Sequence, residues 1–156
     1  MNEVFDFLTE FNAVTVVIRV VLAALAGALV GLEREFHGRA AGMRTHMMVA
    51  LGAALAAMIG LFTVKELGVS SDPMRVGAQV ISGVGFLGAG MIVYRQHEVR
   101  GLTTAAGIWA TAGVGMACGG GLWLIAVLAA VILTPTSVTL RPLSYVARSL
   151  MVYSCP

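Results

Sequence analysis

The chain has 156 residues, 58% of them apolar and 12% charged, with a mean hydropathy of +0.90. Soluble domains carry about 25% charged residues, so too little polar surface remains here to cover a globule in water, and the charges sit in short clusters between long apolar runs, as in a polytopic membrane protein. A net charge of +2 argues for no nucleic-acid partner, and two cysteines, Cys118 and Cys155, make no disulfide framework.

A cleavable signal needs a basic opening, but the first charges are Glu3, Asp6 and Glu10. The first helix is therefore expected to act as a signal anchor. Val4, Phe7, Leu8 and Phe11 fall at helical spacing, which suggests a short interfacial helix over residues 1–11. Helix one is expected over 13–32, about 20 apolar residues and enough to cross a bilayer. Ala23, Gly27 and Gly31 stack on one face as a small-residue ridge. Arg19 lies about two turns inside it. A charge there costs a few kcal/mol unless it snorkels or pairs, and snorkelling is preferred over pairing with Asp72 or Glu66. Helix two is expected over 47–64, with Ala50, Ala54 and Ala57 keeping one side slim.

Helix three, over 74–94, starts at Pro73 with Asp72 as its N-cap. Its glycines are Gly77, Gly83, Gly85, Gly88 and Gly90. In water each costs roughly 1 kcal/mol against Ala, whereas in lipid small residues let helices approach closely. Gln79 and Ser82 join them as buried polar groups. Helix three is thus expected to be the central, most tightly packed helix. Helix four, over 103–118, repeats the ridge with Gly107, Thr111, Gly115 and Gly119. After a Gly119–Gly121 reversal, helix five runs over 122–140, with Pro135 predicting a kink or early end. A tail follows over 141–156.

The fold class is all-α: a polytopic membrane bundle of five transmembrane helices forming one domain over residues 1–140. Arg34, Arg39, Arg44, Arg95, Arg100, Arg141 and Arg148 gather on one side, which the Lys/Arg bias makes cytoplasmic. The N-terminus is then outside and the C-terminus inside. Gly42-Met-Arg-Thr45 and Gly101-Leu-Thr-Thr104 form a faint internal echo, so helices one–two and three–four pair as candidate parallel repeats, with chance matching in a Gly/Ala-rich chain as the alternative.

Gly83-Val-Gly85-Phe-Leu-Gly88 matches a dinucleotide fingerprint, but it lies inside a spanning run with no preceding strand and is discarded. The first cytoplasmic loop is the better candidate. Glu33, Arg34 and Glu35 meet the bilayer at the end of helix one, and Arg44, Thr45 and His46 at the start of helix two. Thr103 and Thr104 open helix four on the same side. Two helix N-termini beside several arginines suit an anion, whether a lipid phosphate, a free phosphate or a partner's acidic side chain. The plainer reading makes Thr45 and Thr103 or Thr104 caps, with Glu33 or Glu35 neutralising Arg44. Asp72, Arg75, Gln79, Ser82 and Thr111 complete the polar candidates, and Gln79, Ser82 and Thr111 more simply join helices by hydrogen bonds. Trp109 and the nine methionines are taken as packing. No triad and no metal-ligand spacing is visible, so no catalytic residue, cofactor or metal is expected. A divalent-cation site wants several carboxylates, and Glu33 and Asp72 lie at opposite ends of their helices. A pore for magnesium or a small anion, built by several chains around helix three, stays open as a second reading.

Three motifs resemble the MgtC/SapB family of bacterial inner-membrane proteins. They are Gly31-Leu-Glu-Arg-Glu35 with Ala41-Gly-Met-Arg-Thr-His46, the stretch Arg75 to Gly90, and Gly101-Leu-Thr-Thr-Ala-Ala106 with Trp109. The resemblance implies a non-enzymatic, virulence-associated regulator for low-magnesium adaptation and intracellular survival in a host. It implies contacts with another membrane protein, such as restraint of the proton-driven ATP synthase, and effects on membrane potential. It argues against magnesium transport, in agreement with the missing carboxylates. Many members continue into a soluble domain of the ACT type. Functions placed there do not carry over to a sequence that stops at Pro156. The expected partners are the lipid bilayer, another membrane protein and a second copy of the chain in a homo-oligomer. Gly27, Gly31, Gly77, Gly85, Gly88, Gly107 and Gly115 are the expected helix-packing positions.

Overall fold

A computed structural model describes residues 11–95 and 98–139. The expected interfacial helix before residue 11, the tail after residue 140 with Arg141, Arg148 and Cys155, and His97 lie outside the described residues. Among the described residues there are five helices: α1 Ala13–Phe36, α2 Met43–Lys65, α3 Met74–Gly90, α4 Leu102–Gly119 and α5 Trp123–Thr139. Between α3 and α4 lies a hairpin of two short antiparallel strands, β1 Val93–Arg95 and β2 Glu98–Arg100. The expected helices are all there, with shifted ends. Helix three stops at Gly90 rather than 94, because Ile92, Val93 and Tyr94 favour extended backbone. The α5 helix runs past Pro135 to Thr139, so Pro135 does not end it. Gly101 closes the hairpin at φ +93°, and a side chain there would run into the Met91 carbonyl.

The packing inverts the pattern of a water-soluble core. Buried apolar residues are mostly alanines: Ala23, Ala50, Ala53, Ala54, Ala112, Ala126 and Ala130. The large aliphatics face outward, with Val17, Leu25 and Ile132 each about 60% exposed. An unbroken apolar exterior of this size would aggregate in water. Helices that associate in lipid instead gain from close contact between small residues. The α1 and α2 helices are long and apolar enough to cross a membrane.

The hub is α4, which packs on α1, α2, α3 and α5. This corrects the expectation that helix three is central. The ridge Gly107, Thr111, Gly115 and Gly119 is buried throughout. A Cβ on Gly115 would meet the Ala50 carbonyl and come within 2.7 Å of its Cα, and one on Gly119 would meet Ala54 in the same way. Gly27 and Gly31 of α1 play that part against α2, where a Cβ on Gly27 would lie 2.7 Å from the His46 carbonyl oxygen. By contrast α3 packs mainly on α4 and α2. Of its glycines, Gly77 faces Met116 and Gly88 faces Ala105, while Gly83, Gly85 and Gly90 face open space. Gly85 is therefore not an internal packing position. Gln79 and Ser82 are exposed, not buried. Trp109, expected as packing, is 50% exposed.

Gly115→Ala should destabilise the bundle by about 1–3 kcal/mol, since the backbone of α2 must move. Gly113→Ala, which meets nothing within 4 Å, should be neutral or stabilising by up to about 1 kcal/mol. Denaturant unfolding in detergent micelles compares the two.

Candidate functional site

The polar residues of the first connection lie on helices rather than in a loop. Glu33-Arg-Glu35 are good helix formers, so α1 runs to Phe36, and α2 starts already at Met43. Only residues 37–42 connect them. His37 ends α1, with its Nδ1 2.7 Å from the Glu33 carbonyl oxygen and its backbone N–H donating to the same oxygen. Glu35 reaches across the turn. Its Oε2 accepts from the Met43 N–H at 3.0 Å. A carboxylate thus satisfies a free donor at the positive end of α2. That corrects the expected pairing of Glu35 with Arg44, and it takes up a donor of α2 offered above to an external anion. Arg44 and Thr45 are exposed, and Gly42, not Thr45, is the N-cap of α2. Gly101, not Thr103 or Thr104, is the N-cap of α4.

Arg34 is 4% exposed and lies along α4. Its Nη1 donates to the Thr103 carbonyl at 3.4 Å. Space for the guanidinium comes from Gly107, where a Cβ would sit 3.0 Å from Nη2. The Arg34 Nε lies 3.5 Å from Glu33 Oε2, and Glu33 Oε1 lies 3.2 Å from His37 Nδ1. His46 is fully buried. Its Nδ1 is 2.9 Å from the Gly42 carbonyl. A carbonyl only accepts, so Nδ1 carries the proton. In the neutral ring Nε2 is then a bare acceptor, and it has no hydrogen-bond partner among the described residues. Thr104 is buried, and Thr111 one turn beyond Gly107 returns its hydroxyl to the Gly107 carbonyl at 2.8 Å.

So Glu33, Arg34, His46, Thr103, Thr104 and Gly107 come together where α1, α2 and α4 meet. The other candidates do not join them. Asp72 lies at the opposite end, where its Oδ1 accepts from the Met74 N–H at 2.9 Å, but Pro73 rather than Asp72 is the N-cap of α3, and Arg75 nearby is exposed. Arg19 also differs from its sequence-based expectation. It is 1% exposed rather than snorkelling. Its Nη1 donates to the Gly119 carbonyl at 3.0 Å, and its guanidinium lies 5.1 Å from the centroid of Phe11 and 5.9 Å from that of Trp123. Gly107 makes room for Arg34, whereas Gly119, which faces Ala54, offers Arg19 its carbonyl alone. Among the described residues no three His, Cys, Asp or Glu side chains converge on a metal-sized space. The arrangement can clamp helices and hold charge; it presents no activated nucleophile.

The description "MgtC family" matches residues 20–146. The chain belongs to the MgtC family. Protein MgtC of Brucella abortus (strain 2308) is 48% identical over 123 residues, covering 78% of this chain and 49% of the relative. Protein MgtC of Salmonella typhimurium is 42% identical over 126 residues, 80% of this chain and 52% of the relative. The Escherichia coli (strain K12) protein named "Putative magnesium transporter YhiD" is 43% identical over 111 residues, 69% and 52% of the two chains. This MgtC family member thus spans about half the length of the curated relatives it matches. No solved structure matches it. Membership and the two long apolar helices together make it a membrane protein.

The Arg34–Gly107 contact should be measurable as a coupling. In a double-mutant cycle of Arg34→Ala and Gly107→Ala, followed by unfolding in detergent, the two losses should fail to add by at least about 0.5 kcal/mol. Simple additivity would mean that the guanidinium does not rest on that glycine.

Proposed function

We propose that this MgtC family protein is a non-enzymatic regulator in the bacterial inner membrane, tied to low magnesium, that acts by helix contact with another membrane complex. The observation that carries the reading is the outward face of α3. Ala78, Ser82, Gly85 and Ala89 recur at helical spacing, and all are exposed. Small residues facing lipid gain nothing from it, but they are what a second helix needs for close approach. The internal ridges on α1 and α4 are already occupied, whereas this face is open to a partner. A proton-driven ATP synthase is the kind of partner that the family resemblance suggests. Adaptation to low magnesium and survival inside a host are the settings in which that contact would act.

All five helices span in this reading. The α3, α4 and α5 helices have 17, 18 and 17 residues, about 25–27 Å at 1.5 Å per residue, close to the roughly 30 Å hydrocarbon core. The N-terminus is outside and the C-terminus cytoplasmic, following the arginine bias. A second reading draws on Gln79, which is polar and exposed beside the same face. Several copies arranged around α3 would then line a path for magnesium or a small anion, as the name of the Escherichia coli relative suggests for that protein.

Gly85→Leu should abolish partner capture in detergent pull-downs while leaving the fold intact, because its Cβ meets nothing inside the chain. Gly27→Leu is no substitute, since it would disrupt α1 against α2. Undiminished capture by Gly85→Leu would overturn the contact reading. In proteoliposomes loaded with a magnesium indicator, the second reading expects flux that is lost on Gln79→Leu; flat traces from inserted protein would remove it.

A further inference from the structure

The β1–β2 hairpin has no role in the reading above. Its strands are three residues each, and a two-stranded hairpin is marginal in water without a surface to pack on. The register pairs Tyr94 with Val99 and Val93 with Arg100. Side chains alternate along a strand, so Tyr94 and Val99 share one face while Arg100 belongs to the other. Nothing in the described chain covers the first face: Tyr94 is 70% exposed and Val99 51%. It is nevertheless held in place. The turn at Gly101 packs on the Met91 carbonyl, and two residues later Thr103 is fastened to Arg34.

We propose that this face is a membrane-interface anchor, seated in the headgroup layer of an anionic phospholipid bilayer at the Arg34 end of the bundle. The apolar face continues into Ile92 and Leu102, both exposed, and through them into the outward aliphatics of the helices. It is thus the rim of the surface that meets lipid. Tyrosine suits that depth, with its ring toward the acyl chains and its hydroxyl toward water. The charge at this end also fits, since Arg44 is exposed on the neighbouring helix start and Arg100 stands on the opposite hairpin face. Basic groups near an anionic leaflet are attracted to it. The inference rests on the membrane location alone and needs neither a partner complex nor ion flux.

The test uses the full chain carrying Trp109→Phe, Trp123→Phe and Tyr94→Trp, reconstituted in phosphatidylethanolamine/phosphatidylglycerol vesicles. The indole at position 94 should emit at shorter wavelength than in water and resist aqueous iodide. Lipids brominated high in the acyl chain should quench it more strongly than lipids brominated near the chain end. Adding Val99→Asp should return the indole to iodide while the helical circular dichroism stays unchanged. Full iodide quenching without any effect of brominated lipid would overturn the proposal. So would shielding from both quenchers that fades on dilution into excess lipid, which would mean that a second copy covers the face. Unchanged lipid quenching in Val99→Asp would show that the face was wrongly assigned.

Discussion

The bundle depends on how closely the backbone of α4 approaches that of α2. Gly115 and Gly119 lie directly on Ala50 and Ala54, with no room for a methyl group at either glycine. In lipid there is little hydrophobic gain in hiding a leucine, because the acyl chains are as apolar as the protein interior. What remains is dispersion between well-fitted atoms, which falls off steeply with distance. That is why the inside is alanine, glycine and threonine, and the bulky aliphatics are turned outward. Everything else is placed by this contact: α1 lies in the angle between the two helices, and α3 and α5 lean on the sides of α4.

Two buried arginines brace the arrangement. Both belong to α1, and both donate to carbonyls of α4, Arg19 at Gly119 and Arg34 at Thr103. The Gly119 carbonyl is at the end of its helix, where carbonyls lack helical partners and the dipole favours a cation. The Thr103 carbonyl is at the other end. A carbonyl has a second lone pair to share, so Arg34 need not break the helix to use it. The two antiparallel helices are thus bolted near both ends, and each bolt passes over or beside a glycine.

Much of this was legible in the residues. The five apolar runs mark the helices, and the ridges on α1 and α4 were legible in the four-residue spacing of their small residues. The α3 helix was misread for a physical reason. It is small on two faces, Gly77 and Gly88 toward α4 and Ala78, Ser82, Gly85 and Ala89 away from it. Periodicity cannot say which of two slim faces meets the neighbour. The charged stretch after Tyr94 reads as a loop, because three alternating residues on each side are too few to signal strands. Glu35, His46 and Arg34 were singled out, but their roles depend on partners brought in by a turn of six residues over 37–42. A sequence reports which side chains are present; the turn decides which carbonyls they meet.

The acceptor of Arg19 lies 100 residues further along the chain. At about 5–20 residues per second, a ribosome needs roughly 5–20 s to make that stretch. Throughout that interval the final carbonyl partner of the Arg19 guanidinium has not yet been synthesised. The bond to Gly119 therefore closes only after α4 has been made, which puts the final seating of Arg19 late in assembly.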